Sequence, residues 1–183
     1  MPAGTERSAL RRAVPITFAV LLVLLTACSR GGKDGGGELI RKYPVNSSTE
    51  VLAKKNISTD SKISSDGKGS IRIDVIGTQT HPLYRLGDID LEEAFLIYRA
   101  AIRTEDLQGE TFLEMICFIQ SKGEFFSRNF ETALSGTNDW TVRSTPFKLR
   151  AGENPDIVEL NIHVSGRGTV WIDEIELLKR PLD

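Results

Sequence analysis

Val158, Leu160, Ile162 and Val164 alternate with Glu159, Asn161 and His163, and this strict period of two narrows most what the chain can fold into. Successive side chains of an extended strand point to opposite faces, whereas a helix repeats every 3.6 residues, so the run reads as a half-buried strand. The pattern recurs. Ile71, Ile73 and Val75 alternate with Arg72 and Asp74, and Leu96, Tyr98, Ala100 and Ile102 repeat it, as do Leu113, Met115, Cys117 and Ile119. Shorter candidate strands lie at Glu38 to Lys42, Leu83 to Leu86, Phe125 to Phe130, Val142 to Leu149 and Val170 to Leu177. Glycine-bearing turns separate them: residues 64–69 (SSDGKG), Gln108-Gly109, Lys122-Gly123, Ser135-Gly136, Ala151-Gly152 and Gly166-Arg167-Gly168. Only Leu91 to Leu96 hints at a helix, and β-branched and aromatic residues soon override it. Many short strands at regular intervals predict an all-β fold, an antiparallel β-sandwich or jelly roll, over residues 38–183.

The N-terminus has a different character. Arg7, Arg11 and Arg12 precede an apolar run from Ile16 to Leu25, which is the layout of a secretory signal. The run is too short for a permanent span, which needs about 20 apolar residues. Leu25-Thr26-Ala27-Cys28 follows. This tetrapeptide resembles the lipobox of bacterial lipoproteins, and the resemblance implies cleavage after residue 27 and diacylglycerol on the Cys28 thiol. Residues 1–27 are then a signal peptide. Residues 28–37 become a lipidated cysteine and a glycine-rich tether, GGKDGGG over 31–37, which spans on the order of 15 Å as a coil. Two or three acyl chains, at about 0.8 kcal/mol per buried methylene, make a firm anchor. The expected location is the cell envelope. Ser29, where an Asp tends to retain Gram-negative lipoproteins in the inner membrane, points to the outer membrane for a Gram-negative source and otherwise to the outer face of the cell membrane.

Charge and cysteine content exclude several functions. Residues 1–27 carry three Arg and one Glu, so of 23 basic and 25 acidic residues 20 and 24 remain after cleavage, a formal charge of −4. No basic run is present to serve nucleic acid. With Cys28 lipidated, Cys117 is a free thiol that alternates with apolar residues, and it reads as a small buried hydrophobe rather than a nucleophile. No Cys pair or His cluster has metal-ligand spacing.

The C-terminal half carries a second resemblance. Ser135-Gly136-Thr137-x-x-Trp140 leads into a strand, and Gly166-x-Gly168-Thr169-Val170-Trp171-Ile172-Asp173-Glu174-Ile175-x-Leu177 closes the chain. This is similar to the end of a galactose-binding-like jelly roll of the kind found in carbohydrate-binding modules. Ser65 to Ile71 resembles the start of an early strand of that family. The resemblance implies a glycan or other envelope component as ligand. It also implies a role for Asp173 in holding a structural calcium, together with backbone carbonyls; Asp173 breaks the alternation of its strand, as a bulge would.

Two strands carry apolar residues on both faces, and there the candidate binding residues gather. Glu114 lies opposite the Leu113 series, and Arg99 opposite the Leu96 series. If those strands pair, Arg99 meets Glu114, and Arg128, Asn161 and His163 can join them in a partly apolar face with converging polar groups. The same face can instead be covered by residues 38–62, with Arg99 making a buried Glu114 tolerable. Trp171 is expected as a stacking platform, while Trp140 and Phe125-Phe126 read as core. Glycoside hydrolysis needs two facing carboxylates, and Glu114 has no second acid at matching spacing. The expectation is therefore a non-catalytic, membrane-anchored binding module. An envelope protein–protein interaction module or a structural lipoprotein without a small ligand is the alternative, and a glycan hydrolase the third.

Overall fold

The feature that organises the molecule is a strand of unusual length. The computed structural model describes Met1 and residues 36–45, 50–120 and 122–182. The expected signal peptide, Cys28 and tether residues 29–35 lie outside the described residues. All described elements belong to the unit Lys33–Asp183. In chain order they are β1 (Glu38–Lys42), β2 (Ile57–Asp60), β3 (Ser70–Ile76), β4 (Gln79–Gly87), β5 (Ala94–Ile119), β6 (Gly123–Arg128), a 3-10 turn (Phe130–Thr132), β7 (Leu134–Leu149), β8 (Ile157–Val164) and β9 (Arg167–Pro181).

β5 is 26 residues long, where strands usually have 3–10. The Leu96 and Leu113 series, expected as two strands that could pair, are its two halves. The Gln108-Gly109 signal is no hairpin. It is part of a bulged crossing where pairing with β7 shifts three times between Ile102 and Thr111, and pairing with β9 shifts between Glu105 and Gln108. Asp106 and Gly109 take φ values of 51° and 154° there. Bulges bend a strand and sharpen its twist. After the bend β5 changes partners: its first half runs between β7 and β9, and its second half between β6 and β8.

The consequence is an antiparallel β-sandwich of the jelly-roll kind. One layer is ordered β2-β3-β9-β5-β7, with β1 on a later stretch of the β9 edge; the other is β4-β8-β5-β6. Leu96, Tyr98, Ala100 and Ile102 from one half of β5 and Leu113, Met115 and Cys117 from the other share one core with Ile71, Ile73, Leu160, Ile162 and Ile172. Cys117 is buried as expected, and burial pushes its thiol up to about 12. The described part of residues 38–62 runs along strand edges. β1 lies on β9 and β2 on β3, while the Leu52 and Ala53 amides donate to the Leu83 and Pro82 carbonyls of β4 at 3.0 and 2.8 Å. As expected, the hint of helix at Leu91 is overridden. Asp88, Asp90 and Glu93 take positive φ values, and β5 begins at Ala94.

The crossing tolerates no side chain at Gly166. A Cβ there would lie 1.7 Å from the Gln108 carbonyl oxygen, and its φ of 85° is left-handed. Gly166→Ala is expected to lower stability by about 3 kcal/mol or more. Gly152→Ala, with φ of 72° but open space around it, should cost about 1 kcal/mol. Urea unfolding followed by circular dichroism compares the two; equal costs would mean the crossing is not tightly packed.

His81 supplies a pH-dependent test. It is buried, its Nδ1 has no hydrogen-bond partner among the described residues, and burial, with the nearby His163, lowers its pKa from 6.5. Below 6.5 the unfolded chain therefore binds a proton that the folded chain resists. Stability is then full above that pH and falls as pH drops through the folded value. The urea midpoint should fall between pH 7 and pH 5, and His81→Leu should flatten this dependence.

Candidate binding face on the β6-β5-β8-β4 layer

Cross-strand register builds the site. Glu114 on β5 lies opposite Arg128 on β6 and Asn161 on β8, while Phe112 lies opposite His163, which lies opposite Thr80 on β4. All these side chains point away from the core, because Leu113, Met115, Leu160 and Ile162 of the same strands point into it.

The Glu114 carboxylate is 3% exposed and is held from both sides. Arg128 Nε donates to Oε2, and Asn161 Nδ2 donates to Oε1 at 3.1 Å. A buried carboxylate is tolerated only when paired and hydrogen-bonded, and these two neighbours meet that demand. The Asn161 carbonyl oxygen is buried with no partner among the described residues. The guanidinium of Arg128 stands over the Phe126 ring at 4.7 Å, which leaves an exposed cation resting on an aromatic face. Phe112 stacks on His163 at 4.6 Å and meets Phe130 edge-on at 4.8 Å, and the Thr80 hydroxyl lies 2.9 Å from His163 Nδ1. Phe126 and Phe130 remain 50% and 59% exposed. Large exposed aromatics therefore lie beside an accessible guanidinium on one face.

Four of the expected binding residues, Glu114, Arg128, Asn161 and His163, therefore come together. Arg99 does not. It lies in the other half of β5 and donates to Glu176 Oε2 on β9, from Nη2 at 2.7 Å and from Nε at 3.1 Å. Trp171 is not an open platform: it is 1% exposed, and its indole N–H donates to Asp60 at 3.0 Å. Its register partners on β3 and β5 are Arg72 and Arg103, and both guanidinium groups lie over its ring, at 5.4 and 5.9 Å. The indole N–H is also the main cause holding the Asp60 carboxyl below its usual range. Asp173 sits in the opposite layer from Glu114, at a bulge in β9. The aromatic expectations are reversed in part: Phe125 and Phe126 are exposed, and Trp140 is half-buried outside the main core. Phe112 and Phe130 carried no distinguishing signal beyond being aromatic next to a two-faced strand.

No protein-family model matches the chain, and no curated protein is similar to it in sequence. Its fold, however, is similar to solved structures. The CBM22-1 xylan-binding domain of Xyn10C from Paenibacillus barcinonensis superposes with a TM-score of 0.57 at 10% identity, covering 80% of this chain and 97% of that one. A xylan-binding domain of family 22 gives a TM-score of 0.54 at 10% identity, covering 77% and 94%. The C-terminal family 22 carbohydrate-binding module of Xyn10B from Clostridium thermocellum gives 0.53 at 10% identity, covering 79% and 96%. The chain thus has the β-sandwich fold of carbohydrate-binding modules.

Proposed function

We propose that this protein is a membrane-anchored, non-catalytic carbohydrate-binding lipoprotein of the cell envelope. The observation that carries the reading is the face just described, where exposed Phe126 lies under Arg128 and exposed Phe130 against Phe112, beside the buried Glu114 and Asn161 pair. A pyranose ring has a C–H face that stacks on phenyl rings. Its hydroxyls can accept hydrogen bonds from the exposed guanidinium of Arg128. The similarity in fold to xylan-binding modules supports this reading. The Leu25 to Cys28 lipobox supports the anchor, with the glycine-rich tether holding the domain clear of the headgroups.

Affinity electrophoresis and a glycan array that includes xylan test the binding. A retained polysaccharide is expected. Phe126→Ala should weaken retention about tenfold, or ~1.4 kcal/mol, with an unchanged Tm because the ring is half exposed. Silence across the array, combined with one stoichiometric protein recovered from envelope extracts, would replace the glycan with a protein partner on the same aromatic surface. The anchor is tested separately: Cys28→Ser is expected to abolish incorporation of labelled palmitate and to leave the precursor uncleaved.

A further inference from the structure

β9 breaks its alternation at Asp173 and Glu174. Glu174 takes a φ of 51°, and pairing with β5 shifts between Arg99 and Ala101. The bulge buries the Asp173 carboxylate to 1% exposure. Ligand oxygens of Asp66, Asp173 and Glu174 come within 4.8 Å of one another, beside a cavity of about 300 Å³ that Lys42 and Lys68 also line. This is where the resemblance of the C-terminal half implies a structural calcium.

The residues present do not fit that ion. Calcium takes six to eight oxygens and needs their lone pairs turned toward it. Asp173 Oδ2 already accepts from Ser65 N at 2.8 Å, Ser65 Oγ at 2.7 Å and Ser64 Oγ at 3.2 Å, and Oδ1 accepts from Glu174 N at 2.7 Å. A carboxylate oxygen has about two acceptor positions, so Oδ2 of Asp173 is saturated by N–H and O–H donors, while Oδ1 keeps one position beside the Glu174 amide. The other acids already face cations of the chain itself. Lys68 Nζ lies 3.2 Å from Asp66, and Lys42 Nζ lies 2.7 Å from Glu174 and 3.7 Å from Glu176.

We propose that Lys42 is a built-in replacement for the structural calcium, its ammonium supplying positive charge to Glu174 and Glu176 beside the Asp173 bulge. Lys42 is the last residue of β1 and pairs in register with Glu176 of β9, so the same contact fastens the first strand to the last. A covalently supplied cation cannot be chelated away, so the fold keeps its closure in calcium-poor surroundings. This inference stands on the opposite layer from the proposed glycan face and does not depend on it.

Melting of the full-length chain, stripped of metal with EDTA and then given 10 mM CaCl2, tests it. The wild type should melt at the same temperature in both, and titration calorimetry should show no calcium binding. Lys42→Met should melt about 2–4 °C lower in EDTA, and calcium should restore part of that loss because Glu174 now lacks its counter-charge. Lys179→Met, which removes a different β1–β9 ion pair, with Glu38 at 3.3 Å, should show no calcium response. A wild type stabilised by calcium would overturn the proposal. So would a Lys42→Met protein that melts like the wild type, or one that ignores calcium. If Lys42→Met does not fold, the wild-type calcium titration still decides.

Discussion

The bend in β5 is the constraint on which the rest of the structure depends. A single strand that stayed straight through residues 103–110 would place Leu113 to Ile119 in line with Leu96 to Ile102 and leave one extended sheet with an uncovered apolar face. Bulges at this point let the same face of β5 line both walls of one core. The bend is stabilised by close backbone approach. Gly109 would drive a Cβ to 2.1 Å from the Ser165 carbonyl oxygen, and Gly166 would drive one to 1.7 Å from that of Gln108. The β8–β9 turn is thus pressed onto the crossing, and only glycine allows both chains to come so near.

The change of partners at the bend also decides which polar groups meet. Side chains directly opposite on neighbouring strands are about 5 Å apart at Cβ, close enough for charge and ring contacts. That rule puts Glu114 between Arg128 and Asn161, and it puts Trp171 between Arg72 and Arg103 in the other layer. The two sites differ in what covers them. Asp60 reaches the Trp171 indole from β2 and the ring is closed off, whereas the rings of Phe126 and Phe130 beside Glu114 stay in solvent. One layer is therefore held shut by ion pairs and a buried indole, and the other presents aromatic surface.

A β-sandwich can be specified by many sequences because its core asks mainly for alternation and volume. That explains how a TM-score of 0.57 accompanies 10% identity. The same freedom lets charge compensation be solved locally. Around the β9 bulge, two lysines and two serines of this chain surround carboxylates that could otherwise require an ion.

The sequence by itself determined the strands, because period two is a local property: Val158 to Val164 and Ile71 to Val75 each lie within a strand whose core-facing side chains can be read from alternation. It also marked Asp173 as a bulge, Cys117 as core and Glu114 as a carboxylate between apolar neighbours on a two-faced strand. Only the tertiary structure decided that the Leu96 and Leu113 runs are one strand, since Gln108-Gly109 has the same composition in a bulge as in a turn. From that followed the pairing of Arg99 with Glu176 rather than Glu114. The exposure of Phe126 and the burial of Trp171 were likewise beyond the sequence. Alternation names the face a side chain points to, while the elements packed over that face come from residues far away in the chain, as Asp60 does for Trp171.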